Sequence, residues 1–139
     1  MSDSNNKIVE KAAQAAEAIA EIQPKPKEIK WQGSSKTDLM NAKLFPVDAK
    51  REAGHQLYLV QNGLDPDHWK PFNDVGSGTK EIIIDLEDGW YRVMYVSKFE
   101  EAVYVLHCFK KKTNKTIKTD VDIAKARYKD VIKQRKNLA

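Results

Sequence analysis

The sequence has one cysteine and no long apolar run. A single cysteine, Cys108, among 139 residues excludes an internal disulfide framework and a cysteine-based zinc site. No apolar run approaches the ~18 residues that a transmembrane helix requires. The first residues, MSDSNN, lack the basic and apolar regions of a signal peptide. We therefore expect a cytoplasmic protein that has no membrane partner.

The charge is unevenly distributed along the chain. The composition, 41% hydrophobic and 32% charged, is typical of a globular domain. Residues 110–139 contain 11 Lys and Arg against 3 Asp and Glu, a net +8, whereas the preceding 109 residues contain 13 and 17, a net −4. This basic end favours a polyanionic partner such as nucleic acid. The alternative is a solvated terminal helix that only adds solubility.

The pattern divides the chain into an N-terminal extension, residues 1–27, and a domain, residues 28–139. Asn5 to Ile22 has apolar residues at helical spacing, and two prolines in residues 23–27 indicate an extended linker. The domain pattern predicts a strand over 28–32, two helices, three strands joined by short turns, and a final helix over 119–136. Grouped helices and grouped strands favour an α+β fold with a small, mainly antiparallel sheet.

Local signals refine the two middle helices. Ser35 and Asp38 have the spacing of a capping box, and we expect the helix that they open to reach Leu44. In the next helix, Gly54 indicates the close approach of another backbone. The buried stripe of that helix is predicted to contain Ala49, Ala53, Leu57 and Val60, and Gly63 is predicted to follow its end. Residues 65–78, rich in Asp, Pro, Asn and Gly, are predicted to be a loop.

The candidate chemistry lies on the three-stranded meander. Alternation along the strands predicts that one face presents Glu81, Arg92 and His107. A charged Arg92 in a central strand requires a carboxylate or an anionic ligand to offset its desolvation. Two interpretations remain open at this point. Arg92 forms an internal ion pair with Glu81 and is structural, or it binds a phosphate in a bidentate manner.

A lysine-rich segment, FKKKTNKT, follows the last strand from Phe109 to Thr116. Its lysines are expected to be mobile cations at the sheet edge. RNA cleavage without a metal requires cations on the phosphate and two groups that move protons. We predict catalytic roles for Arg92, Glu81, His107 and Lys112, with Glu81 orienting His107 or acting as the base, and with no metal or cofactor. The predicted RNA-binding residues are Lys110, Lys111, Lys115 and Lys118.

Two weaker signals favour structural roles. Cys108 lies in the middle of a strand among aromatic residues, so we expect a small core residue rather than a nucleophile. The polar loop contains Asp65, Asp67, His68 and Asp74. No second histidine or cysteine lies near them in sequence, which argues against a metal site.

Six motifs carry a family resemblance. They are WxGSS from Trp31, FPxxAxxxxG from Phe45, LxxVQxGLDP from Leu57, WKP from Trp69, YRVxY from Tyr91 and YVLHCFxKKT from Tyr104. Together, from about Lys30 to Ile132, they resemble the phage-related, HigB-like branch of the RelE/ParE toxin superfamily. The resemblance implies a compact RelE-like toxin of a type II toxin–antitoxin pair, bound by a protein antitoxin that is often a helix-turn-helix protein.

The resemblance also implies an activity. RelE and HigB toxins enter the ribosome and cut mRNA through attack by the 2′-hydroxyl, which leaves a cyclic phosphate. Arg92 matches the superfamily's phosphate-contacting strand arginine, and Lys110 to Lys112 match its basic run, whereas Glu81 and Ile83 stand where RelE has paired lysines. ParE relatives share the fold and inhibit gyrase. The alternatives are therefore a non-enzymatic gyrase inhibitor or a domesticated phage-derived protein that only binds its antitoxin.

Overall fold

The structure is a computed structural model that describes residues 6–14, 25–113 and 115–138. Its elements, in chain order, are α1 (6–14), β1 (Glu28–Trp31), α2 (Ser35–Met40), α3 (Val47–Gln61), β2 (Trp69–Pro71), β3 (Thr79–Leu86), β4 (Gly89–Val96), β5 (Ala102–Lys111) and α4 (Lys118–Leu138). The side chains of α1 are exposed. The rest of the predicted N-terminal helix, residues 15–22, lies outside the described residues.

The five strands form one sheet in the order β1-β5-β4-β3-β2. β1 runs parallel to β5, and the other neighbouring strands are antiparallel. The predicted α+β fold with a mainly antiparallel sheet is confirmed. The prediction that residues 65–78 form one loop is wrong, because Trp69–Pro71 pairs with β3 as an edge strand. Three residues ending in proline carry too little alternation to be recognised among turn residues.

The helices cover both faces of the sheet. On one face, α3 packs the predicted stripe, Ala49, Ala53, Leu57 and Val60, against apolar side chains of β3, β4 and β5, with Leu39 of α2 at the margin. On the other face, α4 packs Ala124 and Val131 against Met94, Tyr104 and Leu106. Each face therefore has its own apolar core, and the sheet lies between them.

A β-bulge interrupts β5 next to its centre. Met94 lies opposite His107 and Tyr95 lies opposite Val105, so Leu106 has no partner residue on β4. As a result, Val105 packs on the α3 side, whereas Leu106 and Phe109 pack on the α4 side. Strict alternation along β5 would place His107 on the same face as Val105, and the bulge makes this grouping wrong. The bulge places His107 on the α4 side of the sheet.

The start and the end of α2 differ in detail from the predictions, whereas the predicted glycine after α3 is confirmed. Ser34 rather than Ser35 precedes the first turn of α2, and its Oγ donates to Asp38 Oδ2 at 2.8 Å. α2 ends at Met40 and does not reach Leu44. α3 ends in a Schellman motif, in which Gly63 has a φ of 80° and the Leu64 amide donates to the Leu59 carbonyl at 3.0 Å.

The expected close approach at Gly54 is not found. A Cβ added at Gly54 meets no described heavy atom within 4 Å, because this position faces solvent. Gly76, in the loop before β3, does lie close to other atoms. A Cβ there would lie 2.5 Å from the Tyr128 ring, whose hydroxyl donates to the Ser77 carbonyl at 2.8 Å. The loop before β3 therefore packs closely against α4.

Candidate functional site

The second half of β5 has an open edge. β1 pairs only with Ala102 to Val105, so within the described residues no strand covers the edge of β5 after Val105. A cavity of about 310 Å³ opens at this edge, and we call it the β5-edge cleft. Its lining comprises residues 107–112 of the chain together with Asp38, Leu44, Lys115, Ile117 and Asp120. These residues lie on β5, in α2 and shortly after it, in the loop after β5, and in the first turn of α4.

The cleft gathers most of the predicted RNA-binding lysines. Lys110, Lys112 and Lys115 are exposed on its rim, and Lys111 is buried in its wall. Lys110 lies on the α3 side, opposite Tyr91 in the register, with Nζ 5.5 Å from the centre of the Tyr91 ring. Lys118 is exposed at the start of α4 but does not line the cleft.

His107 is held by two residues of α4. Its Nε2 lies 2.7 Å from Asp120 Oδ1, and its Nδ1 lies 3.5 Å from Arg127 Nη1. The ring also stacks on Phe109, with ring centres 4.7 Å apart. Burial lowers the pKa of His107 below its ordinary value of 6.5, against the opposing effect of the hydrogen bond to Asp120. Near pH 7 the ring is therefore neutral, with its N–H on Nε2 directed at Asp120.

The partner of His107 differs from the predicted one. Glu81 is expected either to orient His107 or to act as the base, but the carboxylate that binds His107 is Asp120, since α4 crosses the sheet directly beside the bulge. Sequence reasoning missed Asp120 and Arg127. The only sequence signal for Asp120 is an acidic residue in the first turn of a helix, which is common at helix N-termini and points to no partner.

Arg92 lies at the centre of a partly buried ion cluster. Its Nη1 donates to Asp85 Oδ1 at 2.7 Å and to the Tyr91 carbonyl at 2.9 Å, and its Nε lies 3.7 Å from Glu81 Oε1. The residue is 7% exposed. We call Lys70, Glu81, Asp85, Arg92 and Thr116 the Arg92 cluster. This geometry is that of an internal ion pair, and Asp85 is a closer partner of Arg92 than Glu81 is.

Glu81 is fully buried within this cluster. Its Oε2 accepts a hydrogen bond from Thr116 Oγ1 at 3.1 Å, and its Oε1 lies 3.5 Å from Lys70 Nζ. Thr116 belongs to the loop between β5 and α4, so this contact fastens that loop over the cluster. The carboxylate is stabilised mainly by the surrounding positive charges, because Glu81 Oε1 and Arg92 Nε form no hydrogen bond to any described residue.

Lys111 joins the cluster to the cleft. It lies on the same face of the sheet as Arg92, because it follows Phe109 by two residues and Phe109 pairs with Arg92. Burial lowers the pKa of Lys111 below its usual 10.5, and the charge of Arg92 lowers it further. The prediction that the whole lysine run is mobile is therefore wrong for Lys111, which is 6% exposed. A lowered pKa makes its ammonium group a stronger proton donor.

The remaining candidates have structural positions. Cys108 is buried in the core on the α3 side, as predicted, and burial raises the pKa of its thiol. In the polar loop, Asp65 pairs with Lys80 at 2.9 Å and Asp67 accepts a hydrogen bond from Gln56 at 2.9 Å. In the part of the chain that the structure describes, no group of three or more metal-ligating side chains converges, and no helix is long and apolar enough to cross a membrane.

Comparison with known proteins identifies the family. The chain has no significant match among curated proteins or among solved structures. The family model described as phage derived protein Gp49-like (DUF891) matches residues 41–129. This range contains α3, strands β2 to β5 and the first half of α4, and therefore most of the cleft and the whole Arg92 cluster. Since the match spans more than half of the sequence, the chain belongs to the Gp49-like family of phage-derived proteins.

Proposed function

We propose that this protein is the toxin of a type II toxin–antitoxin pair and that it cuts mRNA on the ribosome. One observation carries the proposal: four lysines surround a cleft that also contains a neutral, carboxylate-bound histidine. Membership of a phage-derived family and the motifs that resemble HigB-like toxins support it. In this proposal a protein antitoxin blocks the β5-edge cleft.

The proposed reaction needs no metal. The 2′-oxygen of the RNA attacks the neighbouring phosphorus, the bond from phosphorus to the 5′-oxygen breaks, and a cyclic phosphate and a 5′-hydroxyl form. Lys110, Lys112 and Lys115 bind the phosphate and stabilise the negative charge that builds up on it. Lys118 extends the positive surface along the RNA backbone.

Two groups at the cleft move the protons. His107 takes the proton of the 2′-hydroxyl on Nδ1, because Asp120 occupies Nε2 and the contact of Nδ1 with Arg127 is long, at 3.5 Å. Lys111 gives a proton to the departing 5′-oxygen, which its lowered pKa favours. Arg92 and Glu81 then act through Lys111, because the charge of Arg92 lowers the pKa of Lys111 and that of Glu81 raises it, and Lys112 binds phosphate.

Expression in a bacterial host tests the proposal. The wild-type chain should arrest growth, and sequencing of cellular RNA should map new 5′-hydroxyl ends within messages. The double variant Lys112→Ala/Lys115→Ala should reduce these ends by about tenfold or more, because each lost charge weakens transition-state binding. Lys129→Ala/Lys133→Ala removes the same charge from exposed positions on α4, outside the cleft, and should behave as wild type. Growth arrest without new RNA ends would contradict the nuclease proposal.

A second candidate function follows from the burial of Arg92. Its guanidinium is paired with Asp85 and covered, an arrangement that also suits a non-enzymatic binder. Such a protein would inhibit gyrase or would only bind an antitoxin. Inhibition of DNA supercoiling by the purified chain, without cleaved RNA, would support the gyrase inhibitor. Binding to a helix-turn-helix protein encoded by the neighbouring reading frame, without inhibition of supercoiling and without RNA cleavage, would support the domesticated antitoxin binder.

A further inference from the structure

The β5-edge cleft is apolar as well as cationic. Leu44 and Ile117, which are 36% and 52% exposed, line it together with Phe109, which is buried and stacks on His107. Lysines that only bind a phosphate need no apolar walls around them. A ligand that combines a phosphate with an apolar, planar group fits both parts of the lining.

We propose that the cleft binds one unstacked nucleobase of the RNA, beside the phosphate that the lysines bind, and that it prefers guanine. This inference rests on the proposed function, in which RNA is the substrate. A volume of about 310 Å³ is enough for one base and its sugar. Unpaired bases bind proteins through stacking on aromatic side chains and through hydrogen bonds along their edges.

Two carboxylates in the lining supply the preference among bases. Asp38 accepts a hydrogen bond from Ser34 on Oδ2, and Asp120 accepts one from His107 on Oδ1. Each side chain is thereby fixed in place, and each has a second oxygen that can accept. A carboxylate accepts two parallel hydrogen bonds from the N1–H and N2–H groups of guanine. Adenine and cytosine offer an amino group alone, and uracil places carbonyl oxygens beside its single N–H.

The same carboxylates argue against an acidic peptide in the cleft. An acidic side chain would be attracted by Lys112 and Lys115 but repelled by Asp38 and Asp120. A nucleotide suits both the lysines and the carboxylates, because its phosphate is negative and its base edge carries hydrogen-bond donors. The open edge of β5 adds backbone groups that can bind the base edge as well.

Calorimetric titration of the full chain with mononucleotides tests the inference. The 5′-monophosphate of guanosine should bind about tenfold more tightly than that of uridine and than ribose 5-phosphate. Leu44→Trp should abolish this difference by filling the apolar part of the cleft. Asp38→Asn should reduce the preference for guanine, because Asp120 alone then supplies it, while binding of the other nucleotides persists. Val47→Trp, at an exposed position of α3 outside the lining, should bind as wild type does.

Three results would overturn the inference. Equal affinity for all four nucleotides and ribose 5-phosphate would mean that the lysines bind phosphate alone. Displacement of guanosine monophosphate by a hexaglutamate peptide at a lower concentration than by ribose 5-phosphate would mean a protein-binding cleft. Binding unchanged in Leu44→Trp, with an unchanged melting temperature, would place the nucleotide elsewhere.

RNA cleavage sites separate this inference from the proposed function. If the wild-type chain cuts RNA and Leu44→Trp cuts the same sequences equally well, the base site is wrong and the nuclease proposal stands. If guanosine monophosphate binds as expected but no RNA is cut in cells, the nuclease proposal is wrong and the nucleotide site stands.

Discussion

Arg127 donates a hydrogen bond from Nη1 to the carbonyl oxygen of Leu106, at 2.9 Å. Leu106 is the extra residue of the bulge in β5, and the bulge leaves its carbonyl without a partner on β4. The Nη2 of the same guanidinium donates to Ser34 Oγ at 3.0 Å. Arg127 therefore fastens α4 to the bulge and to the turn before α2, and it keeps His107 on the α4 side of the sheet.

Replacement of Arg127 should destabilise the fold. We expect Arg127→Met to lower the free energy of unfolding by about 1–3 kcal/mol, because the buried Leu106 carbonyl loses its donor. Lys129→Met, two residues along the same helix and exposed, is the control and should change stability by less than about 0.5 kcal/mol. Urea denaturation measures both. Equal stability of the two variants would show that Arg127 has no role at the bulge.

The two carboxylates beside Arg92 should contribute unequally to stability. Glu81→Gln removes a fully buried charge that faces Arg92 and Lys70, and we expect a loss of about 3 kcal/mol. Asp85→Asn should cost less than about 1 kcal/mol, because the Asp85 side chain is 54% exposed and water screens its ion pair. Guanidinium denaturation of both variants tests the order, and a greater loss for Asp85→Asn would reverse our account of the cluster.

His107 should make stability depend on pH. Its folded pKa is lowered, so between that pKa and 6.5 the unfolded chain binds more protons than the folded chain does. The contribution of His107 to the free energy of unfolding is complete above pH 6.5, and it is lost as the pH falls through the folded pKa. The free energy of unfolding should therefore decrease from pH 7.5 to 5.5. His107→Gln should flatten this decrease, whereas His55→Gln, at an exposed position of α3, should retain it.

Two glycine-to-alanine substitutions should have opposite effects. Gly54→Ala should raise the free energy of unfolding by about 0.5–1 kcal/mol, because α3 gains a better helix former and no described atom obstructs the added methyl group. Gly76→Ala should lower it by about 1–3 kcal/mol, because the Tyr128 ring must move. Thermal melting of the two variants measures both changes in stability. An increase in stability for both would mean that the loop before β3 moves readily to accommodate the methyl group.

Local patterns predicted the elements that local interactions determine. The stripe of α3 and the glycine after its end are set by contacts between residues three to five positions apart, so the sequence shows them directly. The parallel pairing of β1 with β5 joins residues distant in the chain, and no local pattern reports it.

The phage-related character that the motifs indicated is confirmed by the family. The assignment to the RelE and HigB toxins, the antitoxin, the ribosome and the cytoplasm remain predictions.

The candidate site was predictable in its residue types but not in its arrangement. The run after Phe109 showed where the cations are, yet the pleat of β5 sends Lys110 and Lys111 to opposite faces and buries the second. The histidine was recognised, but its partner was not, because a single extra residue at Leu106 decides which helix it meets. Ion pairs among distant residues, such as Arg92 with Asp85, depend on strand register, which the sequence alone does not show.

The parallel pairing of β1 has a consequence for folding kinetics. β5 lies between β1 and β4, and the hydrogen bond from Ser35 to Val105 closes a sequence separation of 70 residues. During synthesis on the ribosome, β1 therefore cannot pair with β5 until the whole meander has been synthesised. Contacts of such long range slow the search for the native state, and any chain that stops short of β5 leaves β1 without its neighbour.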